Sequence, residues 1–144
     1  MIYLDYNATT PVDEQVLQTM LPYFSEKFGN AASSTHLLGA QAKDAVEIAR
    51  HHVANTIHCE AQEIIFTSGS TEAINHAIKG VFQLYQHKGK HIVTVKTEHK
   101  AVIDTCKYLE KKGATITYLN VDKDGLIDLD ELDKAISHET ILVC

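Results

Sequence analysis

The chain has 144 residues, of which 44% are apolar and 22% charged, and a formal net charge of −6. That length supports one compact domain with a real core, and the composition excludes a globally disordered chain. No apolar run reaches the ~18 residues of a membrane span, and 19 acidic against 13 basic residues give none of the basic footprint that a nucleic-acid partner requires.

The opening residues, MIYLDYNATTP, carry neither a basic n-region nor an apolar h-region, which argues against secretion. Val12, Val16, Leu17, Met20, Leu21 and Phe24 recur at helical spacing, with Pro11, Asp13 and Glu14 in the first turn. Pro22 should kink or stop that helix. Residues 28–36, FGNAASSTH, read as a loop. From Leu37 to Ile57 the small and apolar positions Ala42, Ala45, Val46, Ala49, Val53, Ala54 and Ile57 predict a long helix with a narrow, closely packed face.

From Glu63 short strand-like runs alternate with helical stretches. Strands are expected at 63–67 (EIIFT), 91–95 (HIVTV), 114–121 (ATITYLNV) and from 140 to 144 (TILVC). Helices are expected over the apolar positions from Ala73 to Leu84, over 99–112 and around 128–137. This alternation predicts a mostly parallel sheet covered by helices. The chain stops at Cys144 inside a strand-like run with no covering helix, so part of a larger domain is expected, the alternative being an edge strand at a natural C-terminus.

Two places can carry chemistry. The turn TSGSTE, residues 67–72, joins an expected strand to a helix. Ser70 and Thr71 put hydroxyls beside the free N–H groups of a helix start, which suits a phosphate. The alternative is that Ser70 or Thr71 simply caps the helix. His99, in TEHK at 97–100, should lie past the carboxyl end of the strand 91–95. There it can stack on a planar ligand or exchange protons, or it can be a solvated or capping residue. If the strands 63–67 and 91–95 are neighbours, both features share one rim of the sheet.

Other groups point to structure. Residues 120–131, NVDKDGLIDLDE, fit the spacing of a calcium loop. The first position is Asn120 and the segment before it reads as a strand, so a turn leading into a helix is the better reading. His51–His52 and His58–Cys59 are adjacent pairs that do not present two ligands on one helix face, so no metal site is expected. Cys59, Cys106 and Cys144 make no disulfide framework, which fits a reducing cytoplasmic setting. Cys106 falls on the apolar face of its helix as a small buried hydrophobe. Arg50, the single arginine, should form an ion pair along its helix.

The ordered set of YLDYNATTP (3–11), GN (29–30) through SSTH (33–36), FTSGSTE (66–72), KTEHKAV (96–102), GLIDL (125–129) and TILV (140–143) resembles the cysteine desulfurases of the NifS/IscS type. The likeness covers essentially the whole chain. Ala31 departs from it, since the family commonly has Pro after Gly-Asn. The resemblance implies an α/β fold: the N-terminal part of the large domain of pyridoxal-phosphate (PLP)-dependent transferases, aspartate-aminotransferase-like, fold type I. Residues 1–58 would form an N-terminal helical arm and loop, and 59–144 the first half of the PLP-binding domain.

It implies pyridoxal 5'-phosphate as cofactor, with Ser70 and Thr71 on its phosphate and His99 stacked on its ring as a possible acid or base. The implied substrate is L-cysteine, converted to alanine and an enzyme persulfide. The sulfur would pass to an iron–sulfur scaffold, to tRNA thiolation or to another acceptor protein. The implied assembly is a homodimer, with the loop 28–36 facing the partner subunit and no direct nucleic-acid or membrane partner. The family's cofactor-bearing lysine follows a Ser-x-His motif that does not occur here, so the 144-residue chain alone is expected to be inactive. None of the three cysteines takes the persulfide role. A selenocysteine lyase or another fold-type I enzyme remains an alternative. So does a non-catalytic, Rossmann-like module that binds a phosphate ligand.

Overall fold

The structure, a computed structural model, describes residues 2–144. The chain divides into two compact units, one reaching to Ile65 and one from Phe66 to Cys144.

The first unit is helical. α1 (Glu14–Met20) starts where the Asp13 carboxylate accepts N–H bonds from Gln15 at 2.9 Å and Val16 at 3.3 Å, a side-chain cap on otherwise unsatisfied donors. Pro22 cannot donate to the preceding turn, so the helix restarts as the single turn α2 (Pro22–Ser25). α3 (Leu37–Ile57) is the long helix expected from its small residues. Its N-cap is His36, whose Nδ1 accepts the Gly39 N–H at 3.1 Å, and it ends at His58 in the left-handed region at φ 57°. A Cβ on Gly39 would strike the Ser33 carbonyl, and one on Gly29 the Leu38 carbonyl. The loop therefore closes against the start of α3 only because both positions lack side chains. Arg50 reaches Glu47 at 3.4 Å and also donates to the Ile64 carbonyl, tying α3 to the segment after the 3₁₀ turn Ala61–Glu63.

The second unit runs α4 (Ser70–Tyr85), β1 (His91–Val95), α5 (Lys100–Glu110), β2 (Thr115–Leu119), α6 (Leu129–Ala135) and β3 (Thr140–Val143). The three strands form a parallel sheet in the order β2-β1-β3. Ile78 and Phe82 of α4, Ile92 of β1, and Val102, Cys106 and Leu109 of α5 make the core, with Tyr118 and Leu142 packed against it. Burying each such side chain stabilises by roughly 1.5–3 kcal/mol. His91, buried in the central strand, bridges its neighbours. Its Nδ1 lies 2.8 Å from Thr140 Oγ1 and its Nε2 2.8 Å from Thr117 Oγ1.

The strand expected at 63–67 does not form. No strand is formed over residues 64–67, and Ile65 and Phe66 stand exposed. Strand propensity is a weak guide where packing and pairing with a neighbouring strand decide the outcome.

Candidate functional site

The site is built from two helix starts. α4 follows its C-terminal neighbours into the sheet: the Gly89 N–H bonds the Tyr85 carbonyl, and His91 opens β1. The C-terminal end of α4 therefore lies at the amino end of β1. The helix has 16 residues, about 24 Å at 1.5 Å per residue, so its first turn projects toward the carboxyl end. α5 leaves that same end through His99. Ile78 and Phe82 share the core with Val102, Cys106 and Leu109. Phe82, Gln83 and Gln86 line a groove with Tyr108, Leu109 and Lys112, so the C-terminal halves of the two helices run side by side. The helices point the same way, so both N-termini face the end of the sheet at which β1 finishes, the usual place for ligands in open α/β sheets.

At the α4 start the N-cap is Gly69, and no side chain caps the helix. The capping role open to Ser70 or Thr71 is thus not taken. Both are exposed in the first turn, beside backbone N–H groups that precede the first intrahelical bond, Ala73 N–H to Gly69 carbonyl at 3.1 Å. Orphan donors, two hydroxyls and the positive end of the helix dipole fit an anion such as a phosphate ester.

The turn is braced from behind. Glu72 Oε2 accepts the Ser68 N–H at 2.6 Å and the Ser68 hydroxyl at 2.7 Å, and Thr67 Oγ1 donates to the Gly69 carbonyl at 3.2 Å. The backbone and side-chain bonds from Ser68 hold the Glu72 carboxyl below its ordinary value. Sequence reasoning passed over Glu72. Its only signal was a serine four residues ahead of an acid at a helix start.

His99 is the N-cap of α5. Its Nδ1 accepts the Ala101 N–H at 3.1 Å, and its own N–H donates to Glu98 Oε2 at 3.1 Å. An accepting Nδ1 puts the proton of the neutral ring on Nε2. The capping alternative is realised, and it fixes the ring without engaging Nε2. Nearby, the Lys96 ammonium donates to Asn120 Oδ1 at 2.8 Å, joining the ends of β1 and β2.

The acidic loop 120–131 is a turn. Asp122 Oδ1 accepts N–H bonds from Asp124 at 2.8 Å and Leu126 at 2.9 Å, and Gly125 adopts φ 83°. Asp128 Oδ1 caps α6 through the Asp130 and Glu131 N–H groups. The Asp122 and Asp128 carboxylates thus serve the backbone, and β2 precedes the loop where an EF-hand would have a helix.

The family model for class-V aminotransferases matches residues 2–144. The chain belongs to the class-V aminotransferase family. Among curated relatives of this chain, the cysteine desulfurase IscS of Anaeromyxobacter sp. (strain Fw109-5) is 56% identical over 142 residues, 99% of this chain and 35% of its own. The cysteine desulfurase IscS of Pasteurella multocida (strain Pm70) is 56% identical over 144 residues, 36% of its length. The chain thus spans about a third of the length of these relatives. Of solved structures, a NifS-like protein superposes with a TM-score of 0.90 at 42% identity, over 99% of this chain and 39% of that one. The apo cysteine desulfurase of Thermococcus onnurineus NA1 does so with a TM-score of 0.85 at 29% identity, over 99% and 35%. The family and fold expected from the ordered motifs are both those found.

Proposed function

We propose that this chain is the phosphate-binding and ring-stacking part of a PLP-dependent cysteine desulfurase. The full-length protein would convert L-cysteine to alanine and leave the sulfur as a persulfide on one of its own cysteines, for iron–sulfur assembly, tRNA thiolation or another acceptor. We place it in the cytoplasm as a homodimer. The observation that carries this reading is the uncapped start of α4, with the Ser70 and Thr71 hydroxyls, at the same end of β1 as His99. The relationship to desulfurases sets the substrate class.

In this mechanism Ser70, Thr71 and the first N–H groups of α4 hold the cofactor phosphate and fix its position. Glu72 keeps the turn in shape. His99, anchored through Nδ1, lays its ring on the pyridine plane and keeps a proton at Nε2 to give to or take from the substrate. When bound, PLP supplies an electron sink for negative charge beside the substrate Cα.

The test is the full-length protein with PLP and L-cysteine. Alanine and a thiol-reducible persulfide in equal amounts support the reading. No alanine from a PLP-loaded protein contradicts it. The 144-residue chain alone should turn over no cysteine, because it contains no Ser-x-His-Lys sequence.

A further inference from the structure

The charge of α4 and of its turn into β1 runs against that of the chain. Residues 73–97 hold four lysines, Lys79, Lys88, Lys90 and Lys96, and no acidic residue, while the whole chain carries a net charge of −6. Surfaces that serve only solubility intersperse both signs, whereas a one-sign stretch sets up a local field. The groove along the C-terminal halves of α4 and α5, about 380 Å³ in volume, lies in this field. Phe82 and Leu109, 5% and 3% exposed, give it an apolar floor, and Tyr108, 46% exposed, forms a wall.

Two ammoniums converge on that wall. Lys79 Nζ lies 4.7 Å from the centroid of the Tyr108 ring, and Lys112 Nζ lies 5.7 Å from it. Neither ammonium has an ion pair or a hydrogen-bond acceptor among the described residues. The face of a ring attracts a cation, but the second ammonium brings a like charge to the same ring with no carboxylate paired to either. An anion seated in the groove offsets that repulsion and meets both charges. The floor and the ring add the apolar contact on which binding energy concentrates, tyrosine being a frequent anchor. A nucleic acid fits less well. The net charge opposes a continuous phosphate backbone, and the Tyr108 ring is occupied by ammoniums rather than open to a base.

We propose that this groove docks an acidic protein segment, one that lays an apolar or aromatic side chain against Phe82, Leu109 and Tyr108 and sets carboxylates beside Lys79 and Lys112. The lysine-rich stretch steers its approach, which makes the association weaken as salt rises. The groove runs along the helices away from their first turns, so a docked segment leaves Ser70, Thr71 and His99 open. Docking here does not depend on the chemistry at that other end.

The experiment titrates the full-length protein with a fluorescein-labelled random copolymer of glutamate and tyrosine and reads fluorescence anisotropy. The copolymer should bind, with affinity falling as salt rises. Lys79→Glu, Lys112→Glu and Tyr108→Ala should each weaken it about fivefold or more. Lys123→Glu, in the turn after β2, should leave it unchanged, and polyglutamate, which lacks the aromatic side chain, should bind more weakly than the copolymer. In the wild type, bound copolymer should protect Lys79 and Lys112 from acetylation by acetic anhydride, a readout that needs no variant to fold. None of these measurements uses L-cysteine, so the desulfurase reading can fail while this one stands. No binding, equal affinity in all four variants, or tighter binding of oligo(dT) than of the copolymer overturns the proposal. So does protection of both lysines before copolymer is added: at every protein concentration it means that the rest of the chain fills the groove, and only at high concentration that a second copy does.

Discussion

Glu72 shows how one side chain can shape the turn that opens a helix. Its carboxylate is held ionised by the Ser68 N–H and hydroxyl, so its folded pKa lies below the ordinary 4.5. A depressed carboxyl stabilises the fold above the unfolded value and loses that contribution as pH falls through the folded one. The Ser68 amide resonance should therefore hold steady above pH 4.5 and titrate below it; a midpoint above that value would contradict the bond. His91 is a second case. His91→Ala leaves the Thr117 and Thr140 hydroxyls without their partner and opens a cavity between three strands, which should cost about 3 kcal/mol in a urea unfolding curve. A loss below about 0.5 kcal/mol would mean the bridge is idle. At this scale the sequence was partly readable. Ser70, Thr71 and His99 announce themselves by residue type beside a helix start. The bonds of Glu72 and His91 do not, because they depend on which rotamer meets which strand.

At the scale of elements, legibility followed the source of each element's stability. α3 and β1 have the bounds expected from the sequence, Leu37–Ile57 and His91–Val95. Their periodicity and caps are local, and so is the break at Pro22. The segment 63–67 has the composition of a strand, but a strand is defined by its neighbour, and local composition says nothing about whether one is present. The closure of the loop onto α3 was hidden for a similar reason: only the fold shows that Gly29 and Gly39 face carbonyl oxygens. Gly39→Ala should force that contact apart and destabilise the helical unit by about 1–3 kcal/mol, measured by thermal unfolding. An unchanged melting temperature would mean the loop does not close there.

For the whole molecule, two observations bear on behaviour in solution. β2 and β3 have no outer partner among the described residues. Ile65, Phe66, Leu126 and Leu129 are at least half exposed. Open edges and apolar surface favour association. The 144-residue chain expressed by itself should therefore self-associate with rising concentration in light scattering, and a monodisperse monomer would contradict that. Among the described residues no helix is long and apolar enough to cross a membrane. The central claim, that two helix starts at one end of β1 hold the cofactor, is tested most directly by the PLP dissociation constant of the full-length protein. Thr71→Ala should weaken binding about tenfold or more, as expected for a hydrogen bond to a charged group. His99→Ala should weaken it too and change the cofactor's absorbance band. Unchanged affinity in both variants would contradict the account.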